Sequence, residues 1–328
     1  MSPGAVILLY HRISEVRPDP QWLAVAPSRF REQLAVLREI ASPISMSQLA
    51  DGLAAGKLPP RAVAVTFDDG YRDNLEAAKP ALENFGVPAT VFVASGYTAG
   101  GREFWWDEVE RAFLEPGELP PRVEFDLGDK TAAFELGEAR RYTAQEAARH
   151  AGWNVTAANY PTRRHEIYGQ VCELLRGETI ERRERALQGL RAAAGLAEAA
   201  PRETHGILDA EGVGRLARGG LVEVGAHTVN HPRLATLPPS DQEYEIEAGK
   251  RALERILGLP VAGLAYPFGD RADYDHHCIA AAARSGYRWA CANVAGVAWV
   301  RSGRYELPRI LVRDWDGPAF RQFLEEWL

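Results

Sequence analysis

Cysteine is scarce in this chain, with only Cys172, Cys278 and Cys291 among 328 residues. Their odd number, unrelated spacings and lack of a C-x-x-C pair exclude a disulfide framework and a thiolate zinc knuckle. Runs of lysine or arginine are also missing. With a formal charge of -7 and a pI near 5.7, no surface is evident that would neutralise phosphates, and nucleic acid is not expected as a partner. No apolar run is long enough to span a membrane. The first, Ala5 to Tyr10, follows Met1-Ser2-Pro3-Gly4 without a cationic leader and is too short for a signal-peptide core. It reads as a buried strand, and the expected location is the cytoplasm, without membrane insertion. The composition, 46% hydrophobic, can bury one large core or two modest ones.

Seven short apolar runs have the character of buried parallel strands: Ala5 to Tyr10, Ala62 to Phe67, Ala89 to Ala94, Leu221 to Ala226, Val261 to Tyr266, Tyr287 to Ala292 and Leu307 to Val312. Helical periodicity separates them. Phe30, Leu34 and Leu37 share a face within Ser28 to Ile40; Tyr244, Ile246, Ala252, Leu253, Ile256 and Leu257 do the same within Asp241 to Leu257. Alternating strands and helices imply a parallel sheet, and seven such units imply an α/β fold, a distorted (β/α)7 barrel. The spacing is even except between Ala94 and Leu221. Residues 97–205 read there as a largely helical insertion within a single catalytic domain. It carries charged helical stretches at Thr162 to Arg176 and Glu178 to Gly195, and a polar segment, Leu119 to Tyr142, suited to a small hairpin.

In parallel barrels, chemistry gathers at the carboxyl ends of the strands. His11 ends the first run, Thr66-Phe67-Asp68-Asp69-Gly70 closes the second, His227-Thr228-Val229-Asn230-His231 follows the fourth, and Pro267-Phe268-Gly269 follows the fifth. Aspartates before glycine are ordinary turn formers, and isolated histidines are usually structural. Brought to one rim, two adjacent carboxylates and two imidazoles make a three-ligand divalent metal site with one carboxylate left for proton transfer. Adjacent aspartates on a turn point in different directions, so one can reach an ion while the other takes a proton.

The Thr-Phe-Asp-Asp-Gly and His-Thr-x-x-His motifs resemble those of the polysaccharide deacetylases, carbohydrate esterase family four, whose NodB-homology domain is a distorted barrel of βα units. The resemblance covers most of residues 1 to 95 and 205 to 328. It implies that Asp69, His227 and His231 bind the metal and that Asp68 is the general base. The metal is expected to be Zn2+, with Ni2+, Co2+, Mn2+ and Fe2+ as alternatives. The loop Ala265-Tyr266-Pro267-Phe268-Gly269 is the candidate oxyanion site, with the Phe268 N–H as donor. The family usually has an arginine where Ala265 stands, so Arg309 on the last strand is expected to pair with Asp68 instead. Leu8-Leu9-Tyr10-His11 resembles the opening motif of a permuted subset that includes poly-N-acetylglucosamine deacetylases, which makes His11 the candidate general acid. Asp314 or Asp316 is the candidate partner to orient it.

Tyr97, Trp105, Trp106, Tyr266 and Pro267 complete the expected substrate contacts, the tryptophans by stacking on sugar rings. Core packing at the root of the insertion is the competing explanation for Trp105 and Trp106. His276-His277-Cys278 reads as an ordinary helix start, because adjacent histidines on a helix point about 100° apart. The function expected is removal of an N-acetyl group, as acetate, from an acetamido sugar in a saccharide or glycan precursor. The rivals are a metal-dependent amidase of a non-sugar amide or ureide, and a non-catalytic carbohydrate-binding protein on the same fold. The insertion serves substrate recognition or homo-oligomerisation in this reading.

Overall fold

The computed structural model describes residues 4–328; Met1 to Pro3, which open the N-terminal segment discussed above, lie outside them. The chain divides into two compact units, one of Met1–Glu15, Ala24–Gly100 and Ile207–Leu328, the other of Val16–Leu23 and Gly101–Gly206.

All seven expected runs supply strands to the first unit: β1 (Gly4–Tyr10), β2 (Ala62–Phe67), β3 (Ala89–Val93), β4 (Val222–Ala226), β5 (Gly263–Ala265), β6 (Trp289–Cys291) and β7 (Ile310–Leu311). They pair in parallel in the order β6-β5-β4-β3-β2-β1-β7. The last segment closes the sheet, because Leu307 bridges Cys291 while Ile310 and Leu311 pair with Leu8 and Leu9. Two short additions distort the ring. Ser42–Pro43 pairs with the start of β2, and Ala298–Trp299 runs antiparallel to the start of β1.

Strand alternation sorts the side chains into two layers. Val6, Leu8 and Tyr10 face outward and pack with Phe30 and Leu34 of the helix Pro27–Ile40. Ala5 and Ile7 face inward with Ala62, Ala64, Phe92, Ala265, Trp289, Cys291 and Leu307. The interior is filled by opposing large and small residues. Phe92 and Trp289 meet edge to face at 5.7 Å, and glycines stand opposite them. A Cβ on Gly263 would lie 2.0 Å from the Trp289 ring, and one on Gly225 would lie 2.4 Å from Phe92. Continuing the count by two from these inward positions reaches His11, Asp68, His227 and Arg309.

The second unit contains the helices Trp105–Leu114, Ala144–His150, Arg163–Arg176 and Ile180–Ala193 and an antiparallel hairpin that pairs Arg122 with Glu135 and Asp126 with Thr131. Arg164, fully buried, ties it together by donating to the carbonyls of Phe113, Gly117, Ala139 and Arg140. Among the described residues, no helix is long and apolar enough to cross a membrane.

Candidate active site

The turn after β2 is anchored by the Asp68 N–H donating to the Tyr10 carbonyl at 3.0 Å. Asp69 (φ 73°) and Gly70 (φ 81°) then both adopt left-handed backbone. Aspartate tolerates this region and glycine favours it. The reversal leaves Asp68 on the inward side and sends the Asp69 carboxylate towards the loop after β4. In that loop, Thr228 (φ 65°) and His231 (φ 52°) are also left-handed, and the His231 N–H donates to the Thr228 hydroxyl at 3.1 Å. Of the six non-glycine residues with positive φ among those described, Asp69, Thr228, His231 and Phe268 all belong to this rim. Strain of this kind concentrates where surrounding structure over-determines a functional geometry.

The three expected metal donors converge. Asp69 Oδ1 lies 3.3 Å from His231 Nε2 and 3.6 Å from His227 Nε2. Two donors each about 2.1 Å from a tetrahedral ion would stand about 3.4 Å apart, so the spacing fits a divalent cation. His227 Nδ1 faces the Ala265 carbonyl at 2.8 Å. A carbonyl only accepts, so Nδ1 carries the hydrogen and Nε2 presents its lone pair to the site. Burial drives His227 down to about 4, against the opposing pull of Asp68 and Asp69. The ring is therefore neutral near pH 7, as a ligand must be. Burial pushes the Asp69 carboxyl up despite His11 and His227, a charge that a bound cation would offset.

Asp68 stands apart from this set, held by Arg309 in a bidentate pair: Nη1 to Oδ1 at 2.6 Å and Nη2 to Oδ2 at 2.7 Å. The guanidinium is itself fixed by the Ala292 carbonyl at 2.9 Å and the Thr66 hydroxyl at 3.3 Å. Burial alone would raise the Asp68 carboxyl, but Arg309, with His227 and His11, holds it down at about 2.

His11 follows β1 on the same rim. Its carbonyl accepts from Asn74 Nδ2 at 2.8 Å, and Asp73 takes the Ile13 N–H and the Arg12 Nε, each at 3.0 Å. Asn74 opens the short π-helix Asn74–Ala78, a type of turn found often at functional sites. His11 Nδ1 is buried and makes no hydrogen bond among the described residues. Burial pushes the imidazole pKa down, with Asp69 and Asp68 pulling the other way. Phe268 (φ 61°) brings its ring 4.9 Å from that of His231, and its loop is pinned by Asn293, whose N–H donates to the Gly269 carbonyl at 2.7 Å.

The family model for polysaccharide deacetylases matches residues 55–119 and 184–290, more than half of the chain. The chain belongs to the polysaccharide deacetylase family. A poly-beta-1,6-N-acetyl-D-glucosamine N-deacetylase of Escherichia coli K12 is 38% identical over 88 residues, which are 26% of this chain and 13% of that enzyme. The chain thus matches only a small part of this curated relative's length. The solved structure of Streptococcus pyogenes deacetylase PplD in complex with acetate aligns 99% of each chain at a TM-score of 0.57 and 19% identity. IcaB from Ammonifex degensii aligns 98% of this chain and 96% of its own at 0.59 and 18%. At these identities the structural likeness speaks for the shared barrel fold.

Several expected contacts of this polysaccharide deacetylase family member fall elsewhere. Trp105 and Trp106 are buried (4% and 5% exposed); Trp106 stacks face to face on Phe104 at 4.4 Å, and Arg183 lies over Trp105 at 5.7 Å. The expectation of sugar stacking is corrected, because these rings pack the second unit's own core. Tyr266 is likewise buried and stacked on Tyr274 at 4.3 Å. Tyr97 and Pro267 are buried too, which makes them wall rather than open platform. Asp314 accepts from the Ala26 N–H and Asp316 caps the helix Gly317–Glu325, so the carboxylates expected to orient His11 are engaged with backbone. Asp107, Glu110 and His205 form a second buried cluster, but Arg202 already pairs with Glu110 at 2.8 Å and supplies the positive charge there. His276 and His277 open the helix His276–Arg284 behind an Asp275 cap, as ordinary helix residues. Sequence reasoning missed Asp73, Asn74 and Glu245. The first two stand directly beyond the Asp-Asp-Gly turn, where the run Tyr71-Arg72-Asp73-Asn74 offered a local signal.

Proposed function

We propose that this polysaccharide deacetylase family member is a metal-dependent N-deacetylase that hydrolyses the acetamido group of a sugar within a glycan. The observation that carries the proposal is one rim holding three converged donors, Asp69, His227 and His231, beside a separate carboxylate, Asp68, whose hydrogen-bond partner among the described residues is Arg309. A divalent ion at the three donors would polarise the acetyl carbonyl and activate a water for attack. The donor set suits zinc, and nickel, cobalt, manganese or iron would also be accepted.

The remaining roles belong to side chains of this chain. Asp68, held ionised and oriented by Arg309, receives the proton that the attacking water gives up. The Phe268 N–H, on the strained loop, is the candidate donor to the new oxyanion. His11 delivers a proton to the sugar nitrogen as its bond to the acetyl carbon breaks, leaving acetate and a free amine. The curated relative named above deacetylates a β-1,6-linked N-acetylglucosamine polymer, which makes β-1,6-linked N-acetylglucosamine oligomers the first substrates to offer.

Acetate release is the direct test, measured with zinc-loaded protein on β-1,6- and β-1,4-linked N-acetylglucosamine oligomers, a nucleotide-linked N-acetylglucosamine and a simple ureide. Asp68→Asn should keep its metal and lose about a hundredfold or more in kcat, and His11→Ala should do the same. Asp69→Ala and His227→Ala should lose the metal. Ammonia from the ureide with silence on every sugar would replace this reading with the amidase.

A further inference from the structure

The loop bearing His227 and His231 is gripped from two sides. Its carbonyls are taken by the turn after β3: the Ser95 N–H donates to the Thr228 carbonyl at 3.1 Å and the Gly96 N–H to the Val229 carbonyl at 2.8 Å. Its amides are taken by one carboxylate. Glu245, 2% exposed, accepts the Val229 N–H at 2.9 Å and the Asn230 N–H at 2.8 Å on Oε2, and the Asn230 side-chain amide at 2.7 Å on Oε1.

Three N–H donors on one buried carboxylate form a charge-assisted arrangement that a neutral side chain cannot reproduce. No cation is needed to explain the charge, and among the described residues Glu245 has no ion pair. One turn further along the helix Pro239–Leu257, Gly249 lets the helix backbone come directly against the loop. A Cβ there would lie 2.8 Å from the Thr228 carbonyl carbon and 2.9 Å from its oxygen. Gly96 serves the same purpose on the other side, since a Cβ there would lie 2.7 Å from the Val229 oxygen. Between these two contacts, Thr228 and His231 are held in left-handed conformations that L side chains rarely adopt.

We infer that Glu245 is a positioning residue for the metal: it holds the four-residue step from His227 to His231 in its strained form, and so sets the spacing of the two imidazoles. This rests on the assignment of Asp69, His227 and His231 as the ion site. Outer groups that orient metal ligands commonly change affinity by about 10–100-fold when removed. Simple bracing of a surface loop would instead alter melting temperature and leave the affinity of the folded protein unchanged.

The hydrogen-bond polarity supplies a rescue. Glu245→Gln keeps one oxygen for the two backbone amides but turns its other arm into an NH2 facing the NH2 of Asn230. Asn230→Asp in the same chain converts that clash into a donor–acceptor pair.

The test is zinc affinity of the apo-protein, residues 1–328, by competition with a chromophoric chelator, beside apo melting temperature, for wild type, Glu245→Gln, Glu245→Gln/Asn230→Asp and Asp69→Asn. The expected result is about a tenfold or greater loss of zinc affinity in Glu245→Gln, with the double variant returning to within about threefold of wild type. A Glu245→Gln protein that melts lower yet binds zinc like wild type overturns the inference, as does a loss that the double variant leaves unrepaired. An Asp69→Asn protein with wild-type zinc affinity would overturn the ion-site assignment and the inference with it. Zinc binding as expected without acetate release would overturn only the deacetylase reading.

Discussion

Arg309 and Asp68 place two opposite charges against each other in the core. Both charges are out of water, at 1% and 4% exposure, and each is tolerable only because the other is present. Arg309→Met should therefore destabilise the metal-free protein by about 3–5 kcal/mol, with Arg309→Met/Asp68→Leu recovering much of the loss; urea denaturation of the two variants checks it. Arg309→Lys should keep the charge but lower kcat, since an ammonium cannot make the planar two-armed contact that fixes both carboxylate oxygens. At this scale much was legible. Asp68, Asp69, His227 and His231 lie in motifs whose chemistry requires those residue types, and Arg309 was found by asking what could replace an arginine at Ala265. The burial of Trp105, Trp106 and Tyr266 was not legible, because an aromatic ring reads the same in sequence whether it covers a core or a sugar.

The helix Pro239–Leu257 shows where the reading of whole elements failed. Its apolar periodicity placed Tyr244 on the inner face, yet Tyr244 is 61% exposed while Gln242, Glu245 and Lys250 are buried. Each buried polar group has local partners: Gln242 donates to the Leu237 carbonyl, Lys250 pairs with Glu254, and Glu245 accepts from the loop that bears His227 and His231. A hydrophobicity pattern cannot register a helix face that is buried through hydrogen bonds. Lys79 repeats the theme at a helix end, its ammonium donating to the carbonyls of Arg215, Leu216 and Arg218 at 2.7, 3.0 and 2.7 Å. It thereby closes the C-terminus of the helix Ala210–Ala217. Lys79→Met should cost about 1–3 kcal/mol in urea denaturation, since three carbonyls lose their donor.

In the second unit, His165 near the start of the helix Arg163–Arg176 is pushed by burial, with a smaller push from His150, from 6.5 to about 4. As pH falls, the unfolded chain binds this proton first, so stability present above pH 6.5 is lost progressively towards pH 4. His165→Gln should therefore lose less melting temperature than wild type between pH 7.5 and 4.5, approximately the span of that titration, as measured by calorimetry.

For the molecule as a whole, the seven runs and their parallel order were legible because strands buried on both sides are apolar throughout. The ends were not, since β5, β6 and β7 are each shorter than their apolar runs. Nor did the sequence announce the large-to-small fit of the barrel interior, because a glycine opposite a tryptophan is a relation between strands. Gly263→Ala should destabilise by about 1–3 kcal/mol, and Trp289→Leu in the same chain should relieve part of it, as read from urea midpoints.

The closing strand has a consequence in time. The proposed metal donors follow β2 and β4, which flank β3, so their positions depend on neighbouring strands alone. The counter-charge of Asp68, the proposed base, comes only with the segment that seals the ring between β6 and β1. Before that segment docks, the Asp68 carboxylate lacks its counter-charge. The proposed chemistry is thus tied to the docking of β7, without which the carboxylate assigned as the base would stand buried beside no guanidinium.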